Sequence, residues 1–388
     1  MKKNILFIVN SAGFLISHRQ EVVAGLISEG FRVHVCARPD DNSQFFDKSE
    51  VKLHRLRAAP SSFSIIDNLL NFLFILRVLL IVKPDVVHLV SPEGNVLGGL
   101  AARLLRAPFI IYAISGLGSA FQFVNGDNHA KSLFGKFLFF MSIRVVNSHF
   151  IFQNTHDYAV LKSLRPIKEE MVTVLPGSGV NLKKFKPIPK PITYKKRDLR
   201  VLMAGRLLAE KGCREFMNAA STMVCQGSAK DVNFKFILAG RLEKGRFNAI
   251  TELELKEWSD FGYGQYVGFK SDICELMQSA DIFVYPSYYG EGLARVLCEA
   301  AACGLPIITT DHPGCRDAIL PKKTGILIDA GNPAAIVSAL LNVASSPQKM
   351  IKMSTAGRAY AEELFDVTKI VERHLIIYKS HFERLNTN

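Results

Sequence analysis

Two glutamates, Glu291 and Glu299, stand eight positions apart in the run P-S-Y-Y-G-E-G-L-A-R-V-L-C-E-A-A-A-C-G. A strand-like run ends at Tyr285-Pro286-Ser287, glycines flank Glu291, and a helix-forming stretch follows. Eight residues of helix turn about 800° and rise about 12 Å, so both carboxylates are expected along one side of that element. The separation is close to the length of a nucleotide diphosphate. Glu291 is then placed to accept sugar hydroxyls and Glu299 both hydroxyls of a ribose. The helix N-terminus near Gly292, Leu293 and Ala294 offers backbone N–H groups to a phosphate. An E-x7-E spacing is common, and ordinary helix carboxylates are the plainer reading of it. Glycine on both sides of Glu291 and the strand–turn–helix setting favour a site.

A second cluster, Ala204-Gly205-Arg206-Leu207-Leu208-Ala209-Glu210-Lys211-Gly212, puts two cations just past the end of another apolar run. Arg206 can grip two phosphate oxygens and Lys211, at the start of the next helix, supplies a point charge, which suits a departing diphosphate. A solvated arginine and an exposed lysine would give the same string. Near the start, Asn10-Ser11-Ala12-Gly13-Phe14 follows the first apolar run. It is not a G-x-G-x-x-G dinucleotide fingerprint, and Arg38 and Pro39 precede Asp40 at the end of the second run. A glycine turn at Gly13 can still let the backbone approach a phosphate.

These residues need a frame that ends strands at one edge. Apolar runs of strand length are expected at Asn4–Val9, Arg32–Cys36, Asp85–Val90, Phe109–Ala113 and His149–Phe152, with helices at Arg19–Gly30, Ser64–Val82, Asn95–Leu105 and Lys131–Asn147 between them. After Pro- and charge-rich Lys183–Asp198, read as an interdomain linker, the alternation restarts at Arg200–Ala204 and runs to a helix at Pro333–Ala344. The fold class is therefore α/β: two doubly wound, parallel-sheet halves facing a cleft, with ligands at the carboxyl ends of the strands. The period of Ile370–Arg384 marks a helix without saying where it packs.

Composition narrows the partner. The 388 residues carry 48 Lys+Arg against 35 Asp+Glu, a net +13, and residues 1–187 hold 22 of the cations against 13 of the anions. A surplus of this size points to an anionic ligand or surface. Scattered glycines and 21% charged residues exclude a disordered or collagen-like chain. The apolar stretch Leu69–Val82 is interrupted by Asn71 and Arg77 and is too short to span a bilayer; a core helix is the plainer reading of it. For Leu133–Met141, with Lys131 and Lys136, an anionic bilayer surface competes evenly with the core. Seven cysteines without a C-x-x-C pair indicate neither a disulfide framework nor a zinc site, and no D-x-D motif ends a strand, so no cofactor and no metal are expected. The lack of a K/R-rich tract argues against nucleic acid as the partner.

Taken together, the E-x7-E segment through D-H-P-G-C-R-D, the A-G-R-x4-K-G cluster and P-G-S-G-V-N at Pro176–Asn181 resemble the retaining glycosyltransferases of family 4, which have the GT-B fold. S-H-R at Ser17–Arg19, S-G-L-G at Ser115–Gly118 and F-Q-N-T-H-D at Phe152–Asp157 resemble the subgroup that builds bacterial O-antigen, capsule and exopolysaccharide units on undecaprenyl diphosphate. The resemblance implies an N-terminal acceptor-side domain over residues 1–187, completed by a C-terminal helix 370–388, and a nucleotide-sugar-binding domain over 198–369. It implies that Glu291 contacts the donor sugar, Glu299 the ribose, Arg206 and Lys211 the diphosphate, and Gly13 the β-phosphate. Ser115 stands at about the place of a histidine that many members carry close to the reacting sugar. His129, in a polar loop, is the other first-half candidate, with a solvated side chain as its plainer reading.

The activity implied is transfer of a hexose or N-acetylhexosamine, with retention, from a nucleotide-sugar donor (UDP before GDP) to a lipid-linked acceptor. The place implied is cytoplasmic, peripheral at the inner face of the plasma membrane and against its anionic surface. A nucleotide-sugar epimerase of the same fold, and a basic binding protein with an idle site, are the alternatives.

Overall fold

The computed structural model describes residues 2–40, 43–47, 50–57, 65–117, 137–189, 197–227, 232–243, 245–246 and 248–387. The chain divides into two units, Met1–Ser178 with Val367–Asn388, and Gly179–Asp366.

The first unit holds a seven-stranded parallel sheet of order β3-β2-β1-β4-β5-β6-β7. Its strands are β1 (Asn4–Ser11), β2 (Arg32–Arg38), β3 (Lys52–Arg55), β4 (Val86–Val90), β5 (Ile110–Ile114), β6 (Ser148–Phe152) and β7 (Val172–Val174). β4 and β5 are buried along their whole length, as continuous apolar runs covered on both faces must be. The helix Ala12–Ser28 begins directly after β1, capped by the Ser11 hydroxyl, which accepts from the Phe14 N–H at 3.2 Å. The expected glycine turn, with a helix only from Arg19, is thus replaced by a continuous helix whose first turn contains Gly13.

One face of this sheet is covered jointly by Ala12–Ser28 and by Val367–Thr387, the last helix of the chain. The latter buries Ile370, His374, Ile377 and Tyr378, spaced i, i+4, i+7, i+8, in the stripe a sheet-packed helix needs. Gly25 lets the two helices approach: a Cβ there would lie 2.7 Å from Val371 Cγ1. Beneath them His88 of β4 and Tyr378 share a hydrogen bond, and the His88 and His374 rings stack with centroids 6.1 Å apart.

The other face carries Ile65–Val82 and Gly99–Leu104. In Ile65–Val82 one stripe, including Ile75, Val78 and Leu79, is core, while Ile66, Leu69, Leu73, Leu80 and Ile81 are exposed. Where a helix over Asn95–Leu105 was expected, a π-helical turn at Gly94–Gly98 precedes Gly99–Leu104.

The second unit holds a six-stranded parallel sheet of order β10-β9-β8-β11-β12-β13. Its strands are β8 (Arg197–Ala204), β9 (Val232–Ala239), β10 (Gln265–Tyr266), β11 (Ile282–Tyr285), β12 (Ile307–Thr310) and β13 (Gly325–Ile328). In both sheets the order reverses once, between β1 and β4 and between β8 and β11, the place where doubly wound sheets open a crevice for ligands. Residues 183–189, read as linker, fold into this unit. Phe185 is in its core, Lys184 pairs with Asp272 at 2.9 Å, and the Phe185 carbonyl accepts from Arg358.

Candidate functional site

The loops after β8 and β11, the two strands flanking the second switch point, carry three of the residues singled out from sequence. After β8 the backbone turns through Gly205 and a short 3-10 turn, Ala209–Lys211, before the helix Cys213–Gln226. Lys211 therefore sits one turn ahead of the helix it was expected to begin. Gly212 is left-handed (φ 79°), and a Cβ there would lie 2.4 Å from the Pro286 carbonyl oxygen. Only glycine lets the two loops touch this closely. Tyr288 N–H donates to the Glu210 carbonyl at 3.0 Å and fastens them.

At the junction Lys211, only 3% exposed, donates to Glu291 Oε1 at 2.5 Å. The same oxygen accepts from the Tyr285 hydroxyl at 2.9 Å and the Ser287 hydroxyl at 3.3 Å, and the Tyr289 ring lies 4.3 Å from the Lys211 ammonium. Burial, reinforced by the Glu291 charge, holds the Tyr285 phenol well above its ordinary pKa, so it stays a donor. Arg206 is exposed, and its guanidinium has no side-chain partner among the described residues.

Glu291 is not on the helix that bears Glu299. That helix is Arg295–Ala302, and Glu291 lies in the loop before it. Gly314, with φ 82°, packs where a Cβ would be 2.5 Å from the Glu291 carbonyl oxygen, and its own carbonyl accepts the Ala294 N–H at 3.0 Å. Backbone from beyond β12 thus pins the segment as a loop. It also occupies the Ala294 N–H, so that group is not offered to a phosphate. Leu293 and Ala294 are buried, while Gly292 lies against Gly314.

Glu299, 8% exposed, accepts from Arg295 Nε at 2.8 Å. Burial pushes its carboxyl above the ordinary range against the pull of Arg295. In the first unit the Gly13 N–H donates to Asp40 Oδ2 at 2.7 Å, so a carboxylate already occupies the group expected to meet a phosphate. Ser115 follows β5 and is half-buried; His129 lies outside the described residues. Sequence reasoning passed over Tyr285, Ser287 and Tyr289; for the last two the P-S-Y-Y string beside Glu291 carried the signal. Among the described residues no group of three or more His, Cys, Asp or Glu could hold a metal.

Two Rossmann-like units, each a parallel sheet with one switch point, are the architecture of the GT-B glycosyltransferases. The chain is a glycosyltransferase with both domains of that class: residues 4–149 match the glycosyl transferase 4-like model and residues 184–360 the model for glycosyl transferases group 1. It is similar to the N,N'-diacetylbacillosaminyl-diphospho-undecaprenol alpha-1,3-N-acetylgalactosaminyltransferase of Campylobacter jejuni, at 28% identity over 95% of this chain and 97% of that protein. To the UDP-Gal:alpha-D-GlcNAc-diphosphoundecaprenol alpha-1,3-galactosyltransferase of Escherichia coli it is 25% identical, covering 91% and 90%. Among solved structures, sucrose-phosphate synthase from Thermosynechococcus elongatus aligns with a TM-score of 0.78 at 19% identity, covering 99% of this chain and 100% of that one. Anabaena Alr3699/HepE in complex with UDP aligns at 0.75 and 17%, covering 98% and 100%.

Proposed function

We propose that this glycosyltransferase moves a hexose or N-acetylhexosamine from a UDP-sugar, with retention, to a saccharide carried on a lipid diphosphate, in bacterial surface polysaccharide synthesis. The observation that carries the reading is the Lys211–Glu291 pair beside the open Arg206 at the switch point of the second sheet. Cations there stabilise charge on a leaving diphosphate, and Glu291 meets the sugar. Glu299, one turn into its own helix, takes the ribose. No carboxylate need attack, because the departing phosphate takes the acceptor hydroxyl's proton on the same face. Catalysis then rests on aimed charge, without a metal.

The names of the relatives above, both acting on undecaprenol-linked diphosphates, support the acceptor class. Membrane approach is supported by the exposed apolar stripe of Ile65–Val82, where Ile66 is 71% and Ile81 63% exposed. It continues over Leu104 to the helix 137–142, where Arg103 binds the Met141 carbonyl and the Arg165 guanidinium lies 4.1 Å from the Phe140 ring. No helix among the described residues is long and apolar enough to cross a membrane. We place the enzyme peripherally, at the cytoplasmic face.

The test is transfer of labelled sugar from a panel of UDP- and GDP-sugars to lipid-diphosphate-linked acceptors, with anomeric configuration read by NMR. Turnover of a UDP-sugar to an α-linked product is expected. Epimerisation without acceptor, or no turnover of any nucleotide sugar, would overturn the reading.

A further inference from the structure

Glu291 presents its two oxygens to different surroundings. Oε1 accepts from Lys211 Nζ, the Tyr285 hydroxyl and the Ser287 hydroxyl. Oε2 has no partner among the described residues and is not among the buried orphaned atoms, so it meets solvent. The donors are rigidly mounted. Tyr285 is the last residue of β11 and Ser287 is wholly buried, its carbonyl held by the Thr310 hydroxyl and its hydroxyl also within 3.3 Å of the Glu210 carbonyl. The Tyr285 carbonyl accepts from Thr309 at 2.7 Å. Two full donors, Lys211 Nζ and the Tyr285 hydroxyl, joined by a Ser287 proton shared between Oε1 and the Glu210 carbonyl, fix which edge of the carboxylate faces outward.

We infer that Tyr285 and Ser287 are positioning residues that, with Lys211, clamp Glu291 through Oε1 and turn Oε2 toward the donor sugar. The inference rests on the proposed donor site and adds a division of labour within it. Arg206 and Lys211 answer for the diphosphate, whereas Tyr285 and Ser287 act on the sugar alone, through Glu291. Tyr285 suits this task because a phenol kept protonated donates throughout the working pH range, and its buried hydroxyl spends that bond on the carboxylate.

The experiment measures Kd for UDP and for the UDP-sugar that the wild type turns over, with kcat and KM, in Tyr285→Phe, Ser287→Ala, Glu291→Gln and Tyr285→Phe/Glu291→Gln. Losing one hydrogen bond to a charged acceptor should lower kcat/KM about tenfold or more. The ratio Kd(UDP-sugar)/Kd(UDP) should rise at least about fivefold in each single variant, with Kd(UDP) nearly unchanged. In the Glu291→Gln background the Tyr285→Phe change should cost less than about twofold, since its target is already altered. Equal weakening of UDP and UDP-sugar, full additivity in the double variant, or wild-type ratios would overturn the inference while leaving the donor site standing. If the wild type binds no UDP-sugar, the functional reading falls instead. Should Tyr285→Phe fold poorly, Ser287→Ala carries the same comparison, and unchanged ratios there are decisive against the clamp.

Discussion

Acidification should loosen the first unit and leave the second intact, and His374 offers the sharpest handle. It is fully buried on the last helix, and its Nδ1 lies 2.8 Å from the Ile370 carbonyl, which can only accept, so Nδ1 carries the proton of the neutral ring. Its Nε2 has no partner, nor has that of His88 on β4. The groups facing it are His88, His149 on β6, Tyr378 on its own helix and Arg19 on Ala12–Ser28. Burial, with the Arg19 charge, holds the His374 pKa down at about 3, and His88 moves the same way. The unfolded chain protonates each imidazole near 6.5, so stability is complete above that pH and drains away as pH falls toward 3.

At about pH 5, some 1.5 pH units below the unfolded imidazole's pKa, the unfolded state holds a proton that the folded state refuses. That is about 2 kcal/mol from His374 alone, a large share of a typical 5–15 kcal/mol. Urea unfolding at pH 8 and pH 5, followed by far-UV circular dichroism and by tryptophan fluorescence, separates the units. Trp258, the only tryptophan, lies in the second unit's core, where His312 is the sole histidine. The fluorescence transition should scarcely move, while a first-unit transition weakens. His374→Leu should lose about 2 kcal/mol less than wild type between the two pH values. Equal pH losses in variant and wild type, or a loss carried by the Trp258 transition, would refute the reasoning.

Arg206→Ala and Lys211→Ala should each lower kcat about 10²–10³-fold in the labelled-sugar transfer assay, because each removes charge aimed at the leaving phosphate. Glu299→Gln should raise KM for the donor about tenfold with little change in kcat, the mark of a contact made equally in ground and transition states. Gly212→Ala should cost at least about 1–3 kcal/mol, read as a fall of several degrees in Tm, since φ is 79° and the new methyl meets the Pro286 carbonyl. Transfer activity is expected to survive EDTA.

The central strands could be read from the chain because continuous apolar runs such as Ile110–Ile114 and Ile282–Tyr285 have one use in a layered α/β fold. The edge strands β3 and β7 could not. Lys-Leu-His-Arg and Val-Thr-Val are too short and too mixed to stand out when only one neighbour pairs with them. In the candidate site, residue type singled out Arg206, Lys211 and Glu291, of which the structure pairs the last two, but local spacing put Glu291 on a helix. What holds it off is Gly314, contributed from beyond the next strand, a contact with no trace in the neighbouring sequence. Tyr285 was hidden differently: as the end of an apolar run it reads as core, and only the carboxylate opposite its hydroxyl reveals the donor. That the Gly13 N–H bonds Asp40, 27 residues on, was equally hidden, because the pairing of β1 with β2 brings the two together.

The first unit is discontinuous, and this has a bearing on synthesis. Its sheet is complete by Val174, yet the helix that covers it with Ile370, Ile377 and Tyr378 is translated only after the whole of Gly179–Asp366. At about 5–20 residues per second that gap lasts on the order of 10–40 s. The second unit, contiguous in sequence, can fold as it leaves the ribosome, so the part begun first is finished last. A chain cut short before Val367 would carry a sound second unit beside an uncovered sheet, the kind of surface that chaperones and proteases seize.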